Sequence, residues 1–236
     1  MNKERNIEEI TAAQLYRLGI RLSEKNWDIK IAHELIKRGK AKYLYLAGLK
    51  WKDSRYISEI GRALAKSKNA EFLFWAGVEW SDKRFILDIS KALARTKKAH
   101  YLFLAGKYFK DERFIPEIRK ALIKSKSAIH LYYAGLEWPD GRYTPEIAKA
   151  LIKLKDASAL YWAGYAWSDK RYTDEIGKTL AQLKIPEYLY YAGKTWKKER
   201  FIPEIARALC ETGDKFWIEK AYQYWESRRV KYLRKF

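Results

Sequence analysis

The sequence predicts an all-α fold, a right-handed superhelical α-solenoid of about seven to eight helix-turn-helix repeats. Three observations predict it. Aromatic residues recur every 29 residues, separate columns of Ala-Gly, Arg, Ile and Leu keep the same step, and the spacing within a repeat is helical. The aromatic column consists of Trp51, Trp80, Phe109, Trp138, Trp167, Trp196 and Trp225.

The repeat divides the chain without insertions. Residues 1–11 are predicted to form an N-terminal cap segment, and a truncated capping repeat with a basic tail occupies residues 215–236. A two-helix repeat of this length cannot bury its own apolar faces, so neighbouring repeats must stack. The seven predicted repeats are residues 12–40, 41–69, 70–98, 99–127, 128–156, 157–185 and 186–214.

The first helix of each repeat is expected to pack in the interior. In the second repeat, Leu44, Ala47, Gly48 and Trp51 are three or four positions apart and share one helix face. A glycine inside a helix costs about 1 kcal/mol relative to alanine. Because the Ala-Gly pair recurs from repeat to repeat, we expect it to let a neighbouring helix approach closely.

The turn between the two helices carries a repeated arginine, which in most repeats follows an aspartate and precedes another acidic residue. In one interpretation, carboxylates on both sides hold this arginine in place. In the other, the arginines of successive repeats form a series of phosphate contacts. The sequence leaves the choice open for Arg55, Arg84, Arg113, Arg142, Arg171 and Arg200.

The second helix is marked by a proline column. Pro116, Pro145 and Pro203 occupy equivalent positions, and proline suits the first turn of a helix. In two repeats a threonine, Thr144 or Thr173, stands directly before that column and is expected to cap the helix.

The net charge of the chain limits the kinds of partner that it is expected to bind. The chain has 236 residues, with 49 Lys and Arg against 29 Asp and Glu and a formal net charge of +20. This excess favours a polyanionic partner: nucleic acid (DNA or RNA), an anionic membrane surface or an acidic protein. No apolar run is long enough to span a bilayer and the N-terminus has no signal core, so we expect a cytoplasmic protein without membrane insertion.

Much of the charge lies on the second helices, in two columns one helical turn apart that we call the basic stripe. A third lysine column follows at the helix end, where it offsets the helix dipole. An acidic residue in either stripe column would have stabilised the helix by about 0.2–0.5 kcal/mol. A solvated helix face is the ordinary explanation, but we expect phosphate contacts instead. The stripe consists of Arg62, Lys66, Lys91, Arg95, Lys120, Lys124, Lys149, Lys153, Lys178 and Arg207.

Two further groups are candidates for the same function. In the basic tail, Arg228 and Arg229 are predicted to bind nucleic acid, although a capping helix with a solvated face explains them equally well. On the first helices, Trp75, Tyr133, Trp162 and Tyr191 are candidates for stacking on exposed bases, worth about 1–3 kcal/mol each. Burial between adjacent repeats is the alternative interpretation of these rings.

Signatures of catalysis are missing. The sequence has no nucleotide-binding glycine loop, zinc-type Cys/His spacing or nucleophile elbow. His33, His100 and His130 fall in different columns, and Cys210 occupies an apolar column where a small buried side chain is expected. We therefore expect no enzyme activity, no metal and no cofactor.

These repeats resemble in design the α-solenoid class, which includes the HEAT, armadillo and tetratricopeptide families. The resemblance covers residues 12–236, but the repeat is shorter than in those families and the tetratricopeptide spacing of Trp, Leu-Gly, Tyr and Pro is not met. It implies a stacked superhelix of the kind that often serves as a binding platform.

Three functions follow, in order of preference. The first is a non-enzymatic nucleic-acid-binding protein that contacts the phosphate backbone with little reading of sequence. The second is a protein-interaction scaffold or inhibitor for an acidic partner. The third is a helical-repeat enzyme that modifies nucleic acid, because the architecture is similar to that of certain DNA glycosylases with a basic concave face.

Overall fold

The structure is a computed structural model. It describes residues 9–22, 29–51, 54–80, 86–138, 145–167, 170–197 and 199–234. Within these ranges every regular element is helical, and short 3-10 turns at Glu112–Phe114 and Glu199–Phe201 precede two of the helices. The prediction of an all-α fold is confirmed.

The chain divides into two compact units, Met1–Ser125 and Lys126–Phe236, called here the N-terminal and C-terminal units. The N-terminal unit contains α1 (Ala12–Leu22), α2 (Ile29–Arg38), α3 (Ala41–Lys50), α4 (Ser54–Lys66), α5 (Ala70–Glu79), α6 (Ile86–Thr96), α7 (Ala99–Tyr108) and α8 (Ile115–Ser125). The C-terminal unit contains α9 (Ala128–Glu137), α10 (Pro145–Leu154), α11 (Ala157–Ala166), α12 (Lys170–Leu183), α13 (Pro186–Thr195), α14 (Ile202–Glu211), α15 (Lys215–Tyr224) and α16 (Ser227–Leu233).

Odd-numbered helices are the first helices of the repeats and even-numbered helices are the second. In the N-terminal unit, each first helix contacts the next first helix and each second helix contacts the next second helix. The C-terminal unit repeats this pattern from α9 to α16. Each first helix also packs on the second helix of its own pair. The contacts between neighbouring pairs cover the apolar faces that a single pair could not bury alone.

From α3 onward, each first helix ends at the aromatic column. The backbone N–H of Trp80 donates to Ala76 O at 3.1 Å, and that of Trp196 donates to Ala192 O at 3.0 Å, so these residues close the last helical turn. Only 1% to 6% of the surface of each residue in the aromatic column is exposed. The prediction that this column is interior packing is confirmed.

The glycine of the Ala-Gly pair makes room for a ring. A Cβ added at Gly48 would lie 2.1 Å from Cζ2 of Trp80, and one added at Gly193 would lie 1.9 Å from Cζ2 of Trp225. The close approach expected at these glycines is therefore made by the indole of the following repeat, not by a helix backbone. The indole of Trp225 also donates from Nε1 to Tyr190 O at 3.1 Å.

The second helices begin and end differently from the expectation at two points. The helix α12 starts at Lys170, so Thr173 lies inside its first turn, buried, and does not precede the helix as a cap. Thr144 lies outside the described residues. At their C-terminal ends, five second helices are followed by a lysine in the left-handed region, with φ between 51° and 56°. These lysines are Lys68, Lys97, Lys126, Lys155 and Lys184.

Candidate nucleic-acid interface

The second helices are amphipathic, and this positions the basic stripe. In α4, Ile60 and Leu64 are fully buried against the neighbouring helices, whereas Arg62 and Lys66 are exposed. The two cations are one helical turn apart and therefore share a face. The same register recurs in α6, α8 and α10, and all ten residues of the stripe are exposed.

Few carboxylates compensate the stripe. Lys120 Nζ lies 4.0 Å from Glu117 Oε1, with both side chains more than half exposed, and exposed pairs of this kind contribute about 0–1 kcal/mol. Arg207 is engaged in a contact of its own. Within the described residues, the other stripe cations make no hydrogen bond and no ion pair.

A groove of about 830 Å³ runs between α4 and α6. The stripe residues Arg62, Lys66, Lys91 and Arg95 line it, and Asp88 is the carboxylate among its lining residues. Lys68 from the end of α4 joins them, so the groove gathers five cations around one anion. Its remaining walls are Ala65, Ala92 and Thr96.

The α2–α4 groove is smaller, about 440 Å³. It shares Arg62 and Lys66 with the first groove, and Glu59 is its carboxylate. Two cations and one carboxylate line it, so this end of the stripe is more balanced in charge than the α4–α6 groove. Glu59 Oε2 also lies 3.3 Å from His33 Nε2. The basic character is therefore stronger between α4 and α6.

The lysines at the ends of the second helices were explained from sequence by the helix dipole alone. One of them makes an ion pair: Lys184 Nζ lies 3.0 Å from Glu211 Oε2 of the following second helix. A signal for their left-handed backbone was present in the sequence, because Gly39 and Gly213 occupy the same column and have φ of 61° and 69°. Glycine is the usual residue in that conformation.

The tail does not extend the stripe as expected. Arg229 is 4% exposed, and its guanidinium donates from Nη1 to Gly193 O at 2.7 Å and from Nη2 to Trp196 O at 2.9 Å. A further bond from Nη1 reaches Lys194 O at 3.0 Å. Arg229 thus caps the carbonyl end of α13 and presents no donor to a phosphate at the surface. The side chain of Arg228 lies outside the described residues.

The repeated turn arginine is held by carboxylates where it is described. Arg113 Nη2 lies 2.6 Å from Asp111 Oδ2, and this hydrogen bond raises the pKa of the guanidinium. Arg200 forms an ion pair with Asp174. The side chains of Arg55, Arg84, Arg142 and Arg171 lie outside the described residues.

The four stacking candidates are partly exposed. Between 37% and 44% of the surface of Trp75, Tyr133, Trp162 and Tyr191 is open to solvent. Each packs on the preceding aromatic residue, as Trp162 does on Tyr161 with ring centroids 5.0 Å apart. All four lie on first helices, and none lines either groove of the stripe.

Cys210 and His130 are polar side chains outside the stripe, and the structure describes both. Burial raises the pKa of the Cys210 thiol, which keeps it in the less reactive protonated form. The Ser127 hydroxyl lies 2.8 Å from Nδ1 of His130, which ties this imidazole to the start of α9. Among the described residues, no three His, Cys, Asp or Glu side chains are grouped closely enough to hold a metal ion.

Comparison with known proteins identifies no relative. No protein family and no curated protein matches the chain. One similar solved structure is described as "Computational Design of Self-Assembling Cyclic Protein Homooligomers", with 12% sequence identity, coverage of 97% of this chain and 91% of that chain, and a TM-score of 0.15. Such a score carries no argument about fold or function. None of the described helices has the length and apolarity needed to cross a membrane.

Proposed function

We propose that this protein binds nucleic acid, DNA or RNA, through the phosphate backbone and catalyses no reaction on it. The observation that supports the proposal is the basic stripe. Its cations are exposed on successive second helices of both units, with few carboxylates among them. A linear series of fixed cations matches a linear series of phosphates, and their neutralisation releases counterions from the nucleic acid.

Electrostatics in the α4–α6 groove supports a polyanion as the ligand. Five cations and one carboxylate line the same concavity. Charges within about 8 Å of each other are only partly screened at physiological salt, so these cations repel one another in the unbound protein. A phosphate backbone that enters the groove removes this repulsion, whereas a neutral ligand leaves it in place.

The lining of the grooves supports binding without sequence recognition. Base edges are read by bidentate Asn or Gln on adenine and by Arg or Lys on guanine, and single strands are held by stacking on aromatic rings. Neither groove is lined by Asn, Gln or an aromatic side chain. The exposed rings of the first helices are not part of this proposal, because they do not line the grooves.

We also propose that the repeats stack into the right-handed α-solenoid expected from the sequence and that the protein is cytoplasmic. The contacts of each helix with the next of its own kind inside each unit support stacking. Small-angle X-ray scattering tests it: a compact domain of this length has a radius of gyration of about 18 Å, and a solenoid exceeds it. A value at or below that figure would contradict the solenoid.

A charge-reversal variant tests nucleic-acid binding. We expect wild-type protein to bind a 20-base-pair DNA duplex with an affinity that falls log-linearly with salt concentration. Replacing Lys91, Lys120 and Lys149 by Glu removes three stripe cations, so the magnitude of the slope should fall by about 2.7. Fluorescence anisotropy over a range of potassium chloride concentrations measures both quantities.

The matched control replaces Lys42, Lys110 and Lys215 by Glu. These lysines are exposed and lie outside the stripe, so this variant has the same net charge as the first. Equal slopes for the two variants would exclude the stripe as the contact surface. If neither duplex nor single strand binds at low salt while polyglutamate does, the protein is an acidic-partner scaffold and the proposal is wrong.

A further inference from the structure

Five successive repeats place lysine where the backbone favours glycine. In the left-handed region a Cβ atom approaches the following carbonyl oxygen, so residues other than glycine, and sometimes asparagine, are disfavoured there. The equivalent positions at the two ends of the array, Gly39 and Gly213, follow this preference. Lysine in the other five repeats opposes it, which points to a role of the side chain beyond the end of its own helix.

The C-terminal unit shows where such a lysine reaches. Lys184 Nζ lies 3.0 Å from the Glu211 carboxylate, which is on the next second helix, 27 residues further along the chain. The two residues come from different repeats, so their ion pair spans the junction between α12 and α14. The Glu211 carboxylate thereby marks the place where an oxyanion sits against the lysine.

In three other repeats the residue 27 positions further along is a cation. The α4–α6 groove shows this arrangement directly, since Lys68 and Arg95 line the same concavity. The α2–α4 groove shows the same register, with Gly39 and Lys66 as the equivalent residues. The three pairs of cations are Lys68 with Arg95 and Lys97 with Lys124 in the N-terminal unit, and Lys126 with Lys153 in the C-terminal unit.

We propose that the two pairs of the N-terminal unit, Lys68 with Arg95 and Lys97 with Lys124, are oxyanion clamps, each of which binds one phosphate group between successive second helices. The phosphate takes the position that the Glu211 carboxylate occupies at the α12–α14 junction. Each phosphate then has one ammonium from the helix end and one cation from the next helix, both charge-assisted donors. This inference rests on the proposed function, because it takes the phosphates to be those of a nucleic-acid backbone.

The state of the four clamp side chains supports this assignment. All four are exposed, and within the described residues none of these side chains makes a hydrogen bond or an ion pair. Two junctions of the C-terminal unit differ: Lys155 is matched with Gln182, and Lys184 is already occupied by Glu211. The clamps are therefore expected at the α4–α6 and α6–α8 junctions and not at the C-terminal end.

Closing two clamps with carboxylates tests the proposal. The double variant Arg95→Glu, Lys124→Glu places carboxylates opposite Lys68 and Lys97, as Glu211 is placed opposite Lys184. The control Lys42→Glu, Lys50→Glu makes the same change in charge on two exposed positions of α3, a first helix of the same unit. The variant Glu211→Lys makes the opposite change in charge and should open a third clamp, at the α12–α14 junction.

Two probes are used: a 20-base-pair duplex, and sodium tripolyphosphate as a small polyanion. We expect the magnitude of the salt slope for the duplex to fall by about 1.8 in the double variant and to rise by about 0.9 in Glu211→Lys. Tripolyphosphate should raise the Tm of wild type by linkage and raise that of the double variant much less. The control should keep at least half of each wild-type response.

The outcomes separate this inference from the proposed function. If the duplex binds and the double variant behaves as the control does, the clamps are wrong and the proposed function stands. If tripolyphosphate raises the Tm through the clamp residues but no nucleic acid binds, the clamps stand and the proposed function is wrong. If neither probe acts on wild type, both are wrong.

Discussion

The lysines with positive φ are the residues whose type and backbone conformation disagree most. A residue with a Cβ atom costs about 1–2 kcal/mol in the left-handed conformation, and glycine removes this cost. Glycine also makes the unfolded chain more flexible, which opposes part of the gain by about 0.4–1 kcal/mol. The balance favours glycine at these positions.

We therefore expect Lys97→Gly to raise the free energy of unfolding by about 0.5–1 kcal/mol. Urea denaturation followed by circular dichroism measures it. Lys98→Gly is the matched control. Because Lys98 has φ of −79°, glycine relieves no strain there and only makes the unfolded chain more flexible, which lowers stability. A loss of stability in Lys97→Gly as large as in the control would show that the lysine side chain stabilises the helix end.

The slot that Gly164 leaves for an indole is the tightest requirement on a single side chain in its repeat. A Cβ at this position would lie 2.2 Å from Cζ2 of Trp196, which is fully buried and bonded through Nε1 to Tyr161 O. Burial and this hydrogen bond hold the ring in place. We expect Gly164→Ala to lower the free energy of unfolding by about 1–3 kcal/mol through overpacking.

A double-mutant cycle checks the cause of this loss. In a Trp196→Ala background the ring is gone, so Gly164→Ala should cost nothing and should gain helix propensity of about 1 kcal/mol. Chemical denaturation of the four proteins gives the coupling free energy. Additive effects would contradict the steric explanation.

Residues differ in how far sequence predicts them. Burial of Trp167 and Trp196 followed from helical periodicity alone, because a large apolar residue repeated on one face must be covered. The burial of Arg229 did not follow, since a basic tail gives no sign that the carbonyl end of another helix will take its guanidinium. The left-handed lysines were also missed, because lysine itself carries no preference for that conformation and the signal lay in Gly39 and Gly213 of the same column.

At the scale of the element, neighbouring first helices are joined by polar contacts as well as by packing. The Tyr45 hydroxyl of α3 donates a hydrogen bond to the Glu79 carboxylate of α5. Partial burial, and then this hydrogen bond and the negative charge of Glu79, raise the pKa of Tyr45. The phenol is therefore harder to ionise in the folded protein than in the unfolded chain.

The stability that Tyr45 contributes should depend on pH. An unfolded tyrosine ionises near pH 10, so the contribution is complete below about pH 10 and is lost as the pH rises through the higher folded pKa. We expect the difference in unfolding free energy between wild type and Tyr45→Phe to narrow from pH 9 to 11.5. Urea denaturation at each pH measures it, and a constant difference would contradict the raised pKa.

Helix pairs were predictable from sequence, whereas their grooves were not. The alternation of two short helices follows from the repeat period and from apolar spacing, and the structure has it in both units. The prediction that Thr173 caps α12 was wrong, because α12 starts one turn before the position that is proline in other repeats. The α4–α6 groove depends on which side chains meet across two repeats, and a single repeat carries no information about that.

At the scale of the whole molecule, the net charge of +20 sets how stability responds to salt. Self-repulsion of like charges destabilises a compact state and is screened by ions. We expect the Tm of wild type to rise between 20 and 200 mM potassium chloride, and to rise less in the variant with Lys91, Lys120 and Lys149 replaced by Glu. A Tm that falls with salt would show that ion pairs outweigh repulsion.

The contact between each glycine and the ring of the following repeat sets an order in which the repeats are completed during synthesis. Five first helices, α3, α5, α9, α11 and α13, hold an opening that the ring of the following repeat fills, as Trp80 does at Gly48 and Trp196 does at Gly164. During synthesis the amino-terminal repeats leave the ribosome first, so a nascent repeat is complete only after about one further repeat has emerged. Folding inside each unit therefore trails translation by a fixed length of chain, and a ribosome stalled within a unit displays one unfilled opening at its growing end.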